Sequence, residues 1–177
     1  DWADEHVTST FFICWGAQAA MYHFYGLKKK LLPQKLFGLY RHKVRNRKEP
    51  LVRGFDDEFY APHSRHTTVD AEEIRAHKEL TILAESEEAG VFIAMAEEGR
   101  KVFVFGHPEY DRLTLEKEYV RDKSKGLAIQ LPKDYFPDDN SENKPLLLWR
   151  AHANTLYTNW INYYVYQTTP YVWEDEQ

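Results

Sequence analysis

The chain has little of several features that would assign it to common classes of protein. Cysteine occurs once among 177 residues, which excludes an internal disulfide framework. No uninterrupted apolar run is long enough to cross a bilayer and no signal-peptide pattern is present, so we expect a cytoplasmic protein without a membrane contact. Positive charge is not in excess, because the formal net charge is −5, and this balance argues against a dedicated nucleic-acid binder.

Linkers and repeats are also missing from the sequence. No internal repeat and no low-complexity segment divides the chain, so residues 1–177 predict one unit. Apolar residues make up 43% of the composition, which is enough to bury a core in a single domain of this length.

The single cysteine occupies the most informative position in the sequence. Residues 11–13 predict a buried strand, Gly16 permits a close turn, and residues 17–27 have a helical composition that ends near Gly26. Cys14 therefore lies at a strand-to-helix turn, where backbone N–H groups favour a thiolate and can hold an oxyanion beside the sulfur. Without further context, a single cysteine at the end of a strand is more often a small buried apolar residue than a nucleophile.

A second segment, GHPEYD, supplies that context. Residues 102–105 predict another apolar strand, and His107 and Glu109 follow it two positions apart. In an extended segment this spacing places both side chains on one face, so the carboxylate can orient the imidazole, and Pro108 disfavours a helix at His107. A structural histidine is the alternative, but Cys14 and a His-x-Glu pair that each follow a strand indicate a nucleophile, a base and an orienting acid.

The rest of the sequence predicts alternating strands and helices. An extended segment over residues 35–44 precedes a polar turn and then a loop with the sequence FDDEFYAPHSRHT. Short strands are expected over residues 67–69, 81–85, 91–95 and 101–105, with a hairpin turn at residues 97–99. Helices are expected after a cap at Asp70, over residues 113–125, and over residues 146–166, where an aromatic stripe favours core or subunit packing.

Several motifs together resemble one enzyme family over essentially the whole chain. They are CWGAQA, RGFDDEFYAPHSRHT, AESEEAG, GHPEYD, EYVRD, WRAHAN and NWINYYVYQTTPY. The set resembles the homoserine O-acyltransferases of methionine biosynthesis, the family named for homoserine O-succinyltransferase. CWGAQA and GHPEYD alone also resemble class I glutamine amidotransferases, whose fold the acyltransferases share. The resemblance implies an α/β fold with a class I glutamine amidotransferase-like (flavodoxin-like) sheet flanked by helices.

The resemblance also bears on domain organisation. Members of the family carry a long region before the cysteine strand, and that region supplies the first strands and helices of the sheet. The present sequence begins at Asp1 without a methionine. We therefore expect residues 1–177 to be the C-terminal portion of a single acyltransferase domain, and we expect a homodimer.

The resemblance implies roles for individual residues. Cys14, His107 and Glu109 correspond to a catalytic triad, with the Trp15 N–H as a local donor to the oxyanion. Three further positions match substrate contacts of the family: Lys35, Ser64 and Arg121. Taken alone, each of these three is an ordinary surface or loop residue. An arginine holds an amino-acid carboxylate through two parallel contacts better than a lysine does, which suits Arg121 to that task.

The implied reaction transfers an acyl group from acyl-CoA to the hydroxyl of L-homoserine through an acyl-cysteine. We expect acetyl-CoA rather than succinyl-CoA as the co-substrate, because acetyl transfer is the commoner activity among sequences of this kind. We expect no bound cofactor and no metal. The alternatives are a serine O-acetyltransferase that feeds cysteine synthesis, a glutamine amidotransferase-like amidase, and a non-catalytic binding fragment. Serine differs from homoserine by one methylene, which a pocket discriminates by roughly 1–3 kcal/mol.

Two other patterns remain after these assignments. His63 and His66 are spaced like metal ligands, but no second cysteine and no clear carboxylate set completes a site, so no metal is expected. The basic residues 28–30 and 41–48 have no accompanying nucleic-acid recognition motif. They predict a solvated surface or a contact for the phosphates of coenzyme A.

Overall fold

The computed structural model describes residues 1–170, so Tyr171, the last residue of the NWINYYVYQTTPY motif, lies outside the described residues. The helices are α1 Trp2–His6, α2 Trp15–Tyr25, α3 Ala71–Ala76, α4 Thr114–Ser124 and α5 Arg150–Asn159, with a π-helical continuation over Trp160–Tyr166. The strands are β1 Thr10–Ile13, β2 Lys29–Val44, β3 Glu58–Val69, β4 Leu80–Ser86, β5 Gly90–Ala96 and β6 Lys101–Val104. Short 3₁₀ turns occur at Pro50–Val52, Glu97–Gly99 and Pro137–Asp139.

The six described strands form one mixed sheet in the order β1-β6-β5-β4-β2-β3. β1 and β6 are parallel, and each of the other neighbouring pairs is antiparallel. Ile13 is in register with Val104, so β1 and β6 end at the same edge of the sheet. The segments that follow these two strands carry Cys14 and His107, and this shared edge brings them together.

Most of the predicted elements are confirmed. Residues 11–13 lie in β1, and α2 ends at Gly26, whose left-handed conformation (φ 69°) suits a residue without a Cβ. Asp70 caps α3 by accepting a hydrogen bond from the Glu72 N–H. The turn at Glu97–Gly99 joins the antiparallel strands β5 and β6 as a hairpin.

The prediction of a loop for FDDEFYAPHSRHT is wrong, because most of this segment is the strand β3. It pairs with β2 at the end of the sheet, where the missing N–H of Pro62 is tolerated. Buried polar side chains at His63 and Arg65 gave the segment the composition of a loop. β2 is also longer than predicted, since it begins at Lys29 and passes through an irregular stretch between Leu31 and Leu36.

The last helix begins four residues later than predicted. The backbone N–H of Leu146 donates to the Tyr135 carbonyl at 2.8 Å, and the buried Trp149 indole donates to the Tyr110 carbonyl at 2.9 Å. These contacts hold residues 146–149 in an irregular conformation, so α5 begins at Arg150. Its apolar face packs into the core as predicted, with Leu156 almost fully buried.

Three apolar clusters stabilise the arrangement. One packs α5 and its π-helical continuation on the sheet, and a second packs α2 and α3 on it. The third lies around Trp149 and Tyr135 and supports α4 beside β2. In the part of the chain that is described, no helix has the length and apolar character needed to span a membrane.

Candidate active site

Cys14 occupies a strained turn between β1 and α2. Its φ of 48° and ψ of −109° lie outside the regions that L-residues favour, a type of strain that is concentrated at functional sites. The turn is fixed because the Cys14 N–H donates to the Val104 carbonyl at 2.7 Å, and the Cys14 carbonyl accepts the Gln18 N–H at 3.1 Å. Trp15 is the first residue of α2, so its N–H has no acceptor within the helix and is available beside the sulfur.

His107 faces this turn and is held from several directions. Its backbone N–H donates to the Pro62 carbonyl at 2.8 Å. Its Nδ1 lies 2.7 Å from Glu109 Oε1, so Nδ1–H donates to the carboxylate and Nε2 is left for the Cys14 sulfur. The ring also stacks on Tyr110, with centroids 4.2 Å apart and an interplanar angle of 17°. The sequence-predicted spacing of His107 and Glu109 therefore brings the two side chains into direct contact.

The charge on the imidazole follows from these neighbours. Burial lowers the pKa of His107, but its interactions with the Cys14 sulfur and the Glu109 carboxylate outweigh that effect and raise the pKa to about 9. His107 is therefore protonated at neutral pH. A protonated imidazole beside a sulfur stabilises a thiolate, which is the reactive form of cysteine.

Lys35, Ser64 and Arg121 are connected to one another through the carboxylates of Glu118 and Asp122. Lys35 Nζ lies 3.2 Å from Asp122 Oδ2 and 3.6 Å from Glu118 Oε2. Ser64 Oγ donates to Glu118 Oε2 at 2.5 Å, and Arg121 Nε donates to Asp122 Oδ1 at 2.7 Å. Arg121 and Lys35 hold the pKa of Asp122 down to about 2, so both carboxylate oxygens are charged acceptors at neutral pH.

Glu118 and Tyr110 complete the network, and sequence reasoning missed both. Tyr110 Oη donates to Glu118 Oε1 at 2.6 Å while its ring stacks on His107. Glu118 and Tyr110 therefore connect the pair of His107 and Glu109 to Lys35 and Ser64. Helical spacing is the signal in the sequence that could have indicated Glu118. It lies three residues before Arg121 and four before Asp122 on α4, and these intervals place side chains on one face.

A cavity of about 450 Å³ borders this network. It is lined by Lys35 and Asp122 from the network, by Tyr40 and Lys133, and by the segment of residues 127–131. The cavity therefore presents both signs of charge next to the face of α4 that carries Glu118.

His63 and His66 do not lie together as metal ligands would. His63 is fully buried and its Nε2 lies 3.0 Å from His42 Nε2, whereas His66 is exposed. Among residues 1–170, no group of three His, Cys, Asp or Glu side chains is arranged to hold a metal ion.

Comparison with solved structures identifies the fold. A glutamine amidotransferase from Methylobacillus flagellatus has a TM-score of 0.58 and 14% identity, with 93% of this chain and 66% of that chain covered. A glutamine amidotransferase from Thermotoga maritima has a TM-score of 0.53 and 15% identity, with coverage of 84% and 56%. The predicted α/β fold of the class I glutamine amidotransferase type is thereby confirmed.

Comparison of sequences identifies the family. A protein of Lachnoclostridium phytofermentans named homoserine O-acetyltransferase is 65% identical over 171 residues, which are 97% of this chain and 57% of that protein. One of the same name from Agathobacter rectalis is 61% identical over 97% of this chain and 55% of its own length. The chain thus spans a little over half the length of these relatives. The homoserine O-succinyltransferase family matches residues 1–171, and the chain belongs to that family.

Proposed function

We propose that this protein transfers an acyl group from acyl-CoA to L-homoserine, with Cys14 as the acyl carrier. The observation that carries the proposal is the contact of 2.7 Å between His107 Nδ1 and Glu109 Oε1 at the edge of the sheet where β1 and β6 end, because Cys14 directly follows β1 at that same edge. Family membership supports the same reaction class, because relatives at 61–65% identity are named homoserine O-acetyltransferase.

In the first half-reaction, the Cys14 thiolate attacks the thioester carbonyl of acyl-CoA. The carbonyl oxygen becomes an oxyanion, and we infer that it accepts a hydrogen bond from the Trp15 N–H, which has no acceptor within α2. The intermediate collapses with cleavage of the bond to the coenzyme sulfur, and protonated His107 gives its proton to the departing thiolate. The products are free coenzyme A and an acyl-cysteine, with His107 neutral.

In the second half-reaction, neutral His107 removes the proton from the side-chain hydroxyl of homoserine. The hydroxyl oxygen attacks the acyl-cysteine carbonyl, and collapse expels the Cys14 thiolate and releases the O-acyl ester. Glu109 keeps the imidazole oriented through the contact at 2.7 Å and stabilises its positive charge in both steps. The exchange of a thioester for an ester supplies the driving force.

The network on α4 is the proposed site for the amino-acid end of homoserine. Arg121 has a half-exposed guanidinium that can pair with the substrate carboxylate, and Glu118 offers a carboxylate to the ammonium group. Ser64 and Lys35 hold Glu118 in place and add hydrogen-bonding capacity. Tyr110 connects this site to His107, and this connection supports the inference that the acceptor hydroxyl binds near the base.

The proposed donor is acetyl-CoA. The names of the relatives support acetyl, whereas the name of the family refers to succinyl. Physically, a succinyl donor requires room and a positive partner for a second carboxylate, and a pocket that provides neither discriminates against it.

The test is the intact mass of the protein after separate incubation with acetyl-CoA and succinyl-CoA. The proposal predicts an added acetyl group that is absent from Cys14→Ala and that is released as O-acetylhomoserine when L-homoserine is added. Release of ammonia from glutamine without acyl labelling would instead indicate an amidase. Faster transfer of the acyl group to L-serine than to L-homoserine would show that serine is the acceptor. Faster labelling by succinyl-CoA than by acetyl-CoA would show that succinyl-CoA is the donor.

A further inference from the structure

A buried positive charge lies below the candidate active site, on β3. Arg65 is 4% exposed, and its guanidinium makes three contacts with neutral acceptors. Nη1 donates to the Thr67 carbonyl at 2.7 Å, Nη2 to the Ala89 carbonyl at 2.5 Å, and Nε approaches His63 Nδ1 at 3.4 Å. Among residues 1–170, no carboxylate is its hydrogen-bond or ion-pair partner. A buried charge without an opposite charge is costly, so the missing anion requires an explanation.

The other titratable groups around Arg65 do not supply an anion at neutral pH. Burial lowers the pKa of His42 to about 3 and holds the pKa of His63 well below its ordinary value, so both rings are neutral. Burial raises the pKa of Tyr40, which keeps the phenol neutral as well. Burial also lowers the pKa of Arg65 to about 10, and this still leaves the guanidinium charged. The set of Arg65, His63, His42 and Tyr40 therefore carries one positive charge, on Arg65, with no negative charge to balance it.

Shared contacts show where this charge lies. The Thr67 carbonyl that accepts from Arg65 also faces Gln18 Nε2 at 3.3 Å, and Thr67 Oγ1 donates to Gln18 Oε1 at 2.7 Å. Gln18 is one helical turn after Cys14, and its N–H donates to the Cys14 carbonyl. Arg65 is thus linked through Thr67 and Gln18 to the first turn of α2, which begins directly after Cys14.

The second link runs through His63 to the other half of the site. A Cβ added at Gly106 would lie 3.1 Å from His63 Cε1, so the imidazole is packed against the residue that precedes His107. The Arg65–His63 pair therefore lies below the ends of both β1 and β6. Cys14 becomes an anion when its thiol reacts, and Arg65 is joined through Thr67 and Gln18 to the turn that carries it.

We propose that Arg65 is a positioning residue whose buried charge favours the thiolate of Cys14 and so increases its reactivity as a nucleophile. The inference rests on the proposed role of Cys14 in acyl transfer. A fixed cation in a site of low dielectric stabilises an adjacent anion far more than an exposed lysine does. Loss of the charge is expected to slow reaction of the thiol at neutral pH by roughly tenfold.

The test is alkylation of Cys14 by iodoacetamide across a range of pH, followed by intact mass. Cys14 is the single cysteine of the chain, so the modification is unambiguous. We expect Arg65→Met to slow alkylation at pH 7 by roughly tenfold and to move the profile to higher pH, whereas Arg65→Lys restores most of the rate. The matched control is Arg75→Met, which removes a half-exposed arginine on α3 and should leave the profile unchanged.

Circular dichroism and urea unfolding separate this effect from a merely structural one. If Arg65→Met does not fold, Arg65→Gln replaces it, because an amide can still donate to the two backbone carbonyls. An unchanged pH profile in either neutral variant, or equal losses in the neutral variant and Arg65→Lys, would overturn the proposal. Alkylation needs no acyl donor, so absence of acyl transfer would overturn the proposed function without deciding the role of Arg65.

Discussion

Replacement of Gly106 by alanine tests whether the floor of the site is as tightly packed as the structure indicates. Gly106 immediately precedes His107, and an added Cβ would lie 2.7 Å from Phe92 Cε2 and 2.8 Å from the Pro62 carbonyl oxygen. Phe92 is buried, and the Pro62 carbonyl already accepts the His107 N–H at 2.8 Å. The new methyl group therefore fits only if the backbone around His107 moves.

The magnitude follows from these contacts. Overpacking of a well-filled interior costs about 1–3 kcal/mol, and a clash with backbone places the cost in the upper part of that range. Gly16→Ala is the matched control, because nothing lies within 4 Å of its Cβ and the residue is in the first turn of α2. Alanine at that position should be neutral or should stabilise the chain by up to about 1 kcal/mol.

Urea unfolding followed by tryptophan fluorescence measures the free energy of unfolding of both variants, and iodoacetamide alkylation measures the reactivity of Cys14. We expect Gly106→Ala to be less stable than Gly16→Ala and to alkylate more slowly, because His107 is displaced from the sulfur. If the two variants had equal stability and equal reactivity, the reasoning about this contact would be refuted.

Three further predictions concern the groups around the sulfur. The separate losses of acyl transfer in His107→Ala and Glu109→Ala should be strongly non-additive in the double variant, as measured by kcat/KM, whereas simple additivity would show that the residues act independently. Tyr110→Phe keeps the ring stack but loses the hydrogen bond to Glu118, so the KM for homoserine should rise several-fold with Cys14 alkylation unchanged, and a parallel fall in alkylation would contradict this. Because the pKa of His107 is raised to about 9, its protonated form contributes stability that is complete below the ordinary value of 6.5 and is lost as pH rises through 9. The urea midpoint should therefore fall more between pH 7 and pH 10 in the unmodified chain than in His107→Gln, and equal falls would contradict the assignment.

The parts of the site that depend on short-range pattern were predictable from the sequence. Cys14 follows an apolar run and precedes a glycine and a helix, and His107 and Glu109 have the spacing of one face of an extended segment. Each of these signals is contained within a few residues. The structure places them where the local pattern indicates, at the ends of two neighbouring strands.

The parts that depend on tertiary contacts were not predictable. β3 contains a proline, a histidine and an arginine in close succession, which is typical of a loop, and it is a strand because β2 pairs with it and because His63 and Arg65 find buried partners. Glu118 is surrounded in sequence by other charges on α4, so it resembles any solvated helix residue. Its role becomes visible only when β2 and β3 bring Lys35 and Ser64 against that face.

The parallel pair of β1 and β6 also has a kinetic consequence. β1 and β6 are neighbours in the sheet, and Thr10 pairs with Lys101, but the four strands β2 to β5 lie between them in the sequence. Pairing of segments so far apart in sequence is entropically expensive, so we expect it to form late in folding. β1 is only four residues long and lies at one end of the described sheet. Detachment of this one strand would separate the sulfur from the imidazole while β2 to β5 remained paired. We therefore expect the rate of Cys14 alkylation to report the opening of β1 and to exceed the rate at which the whole chain unfolds.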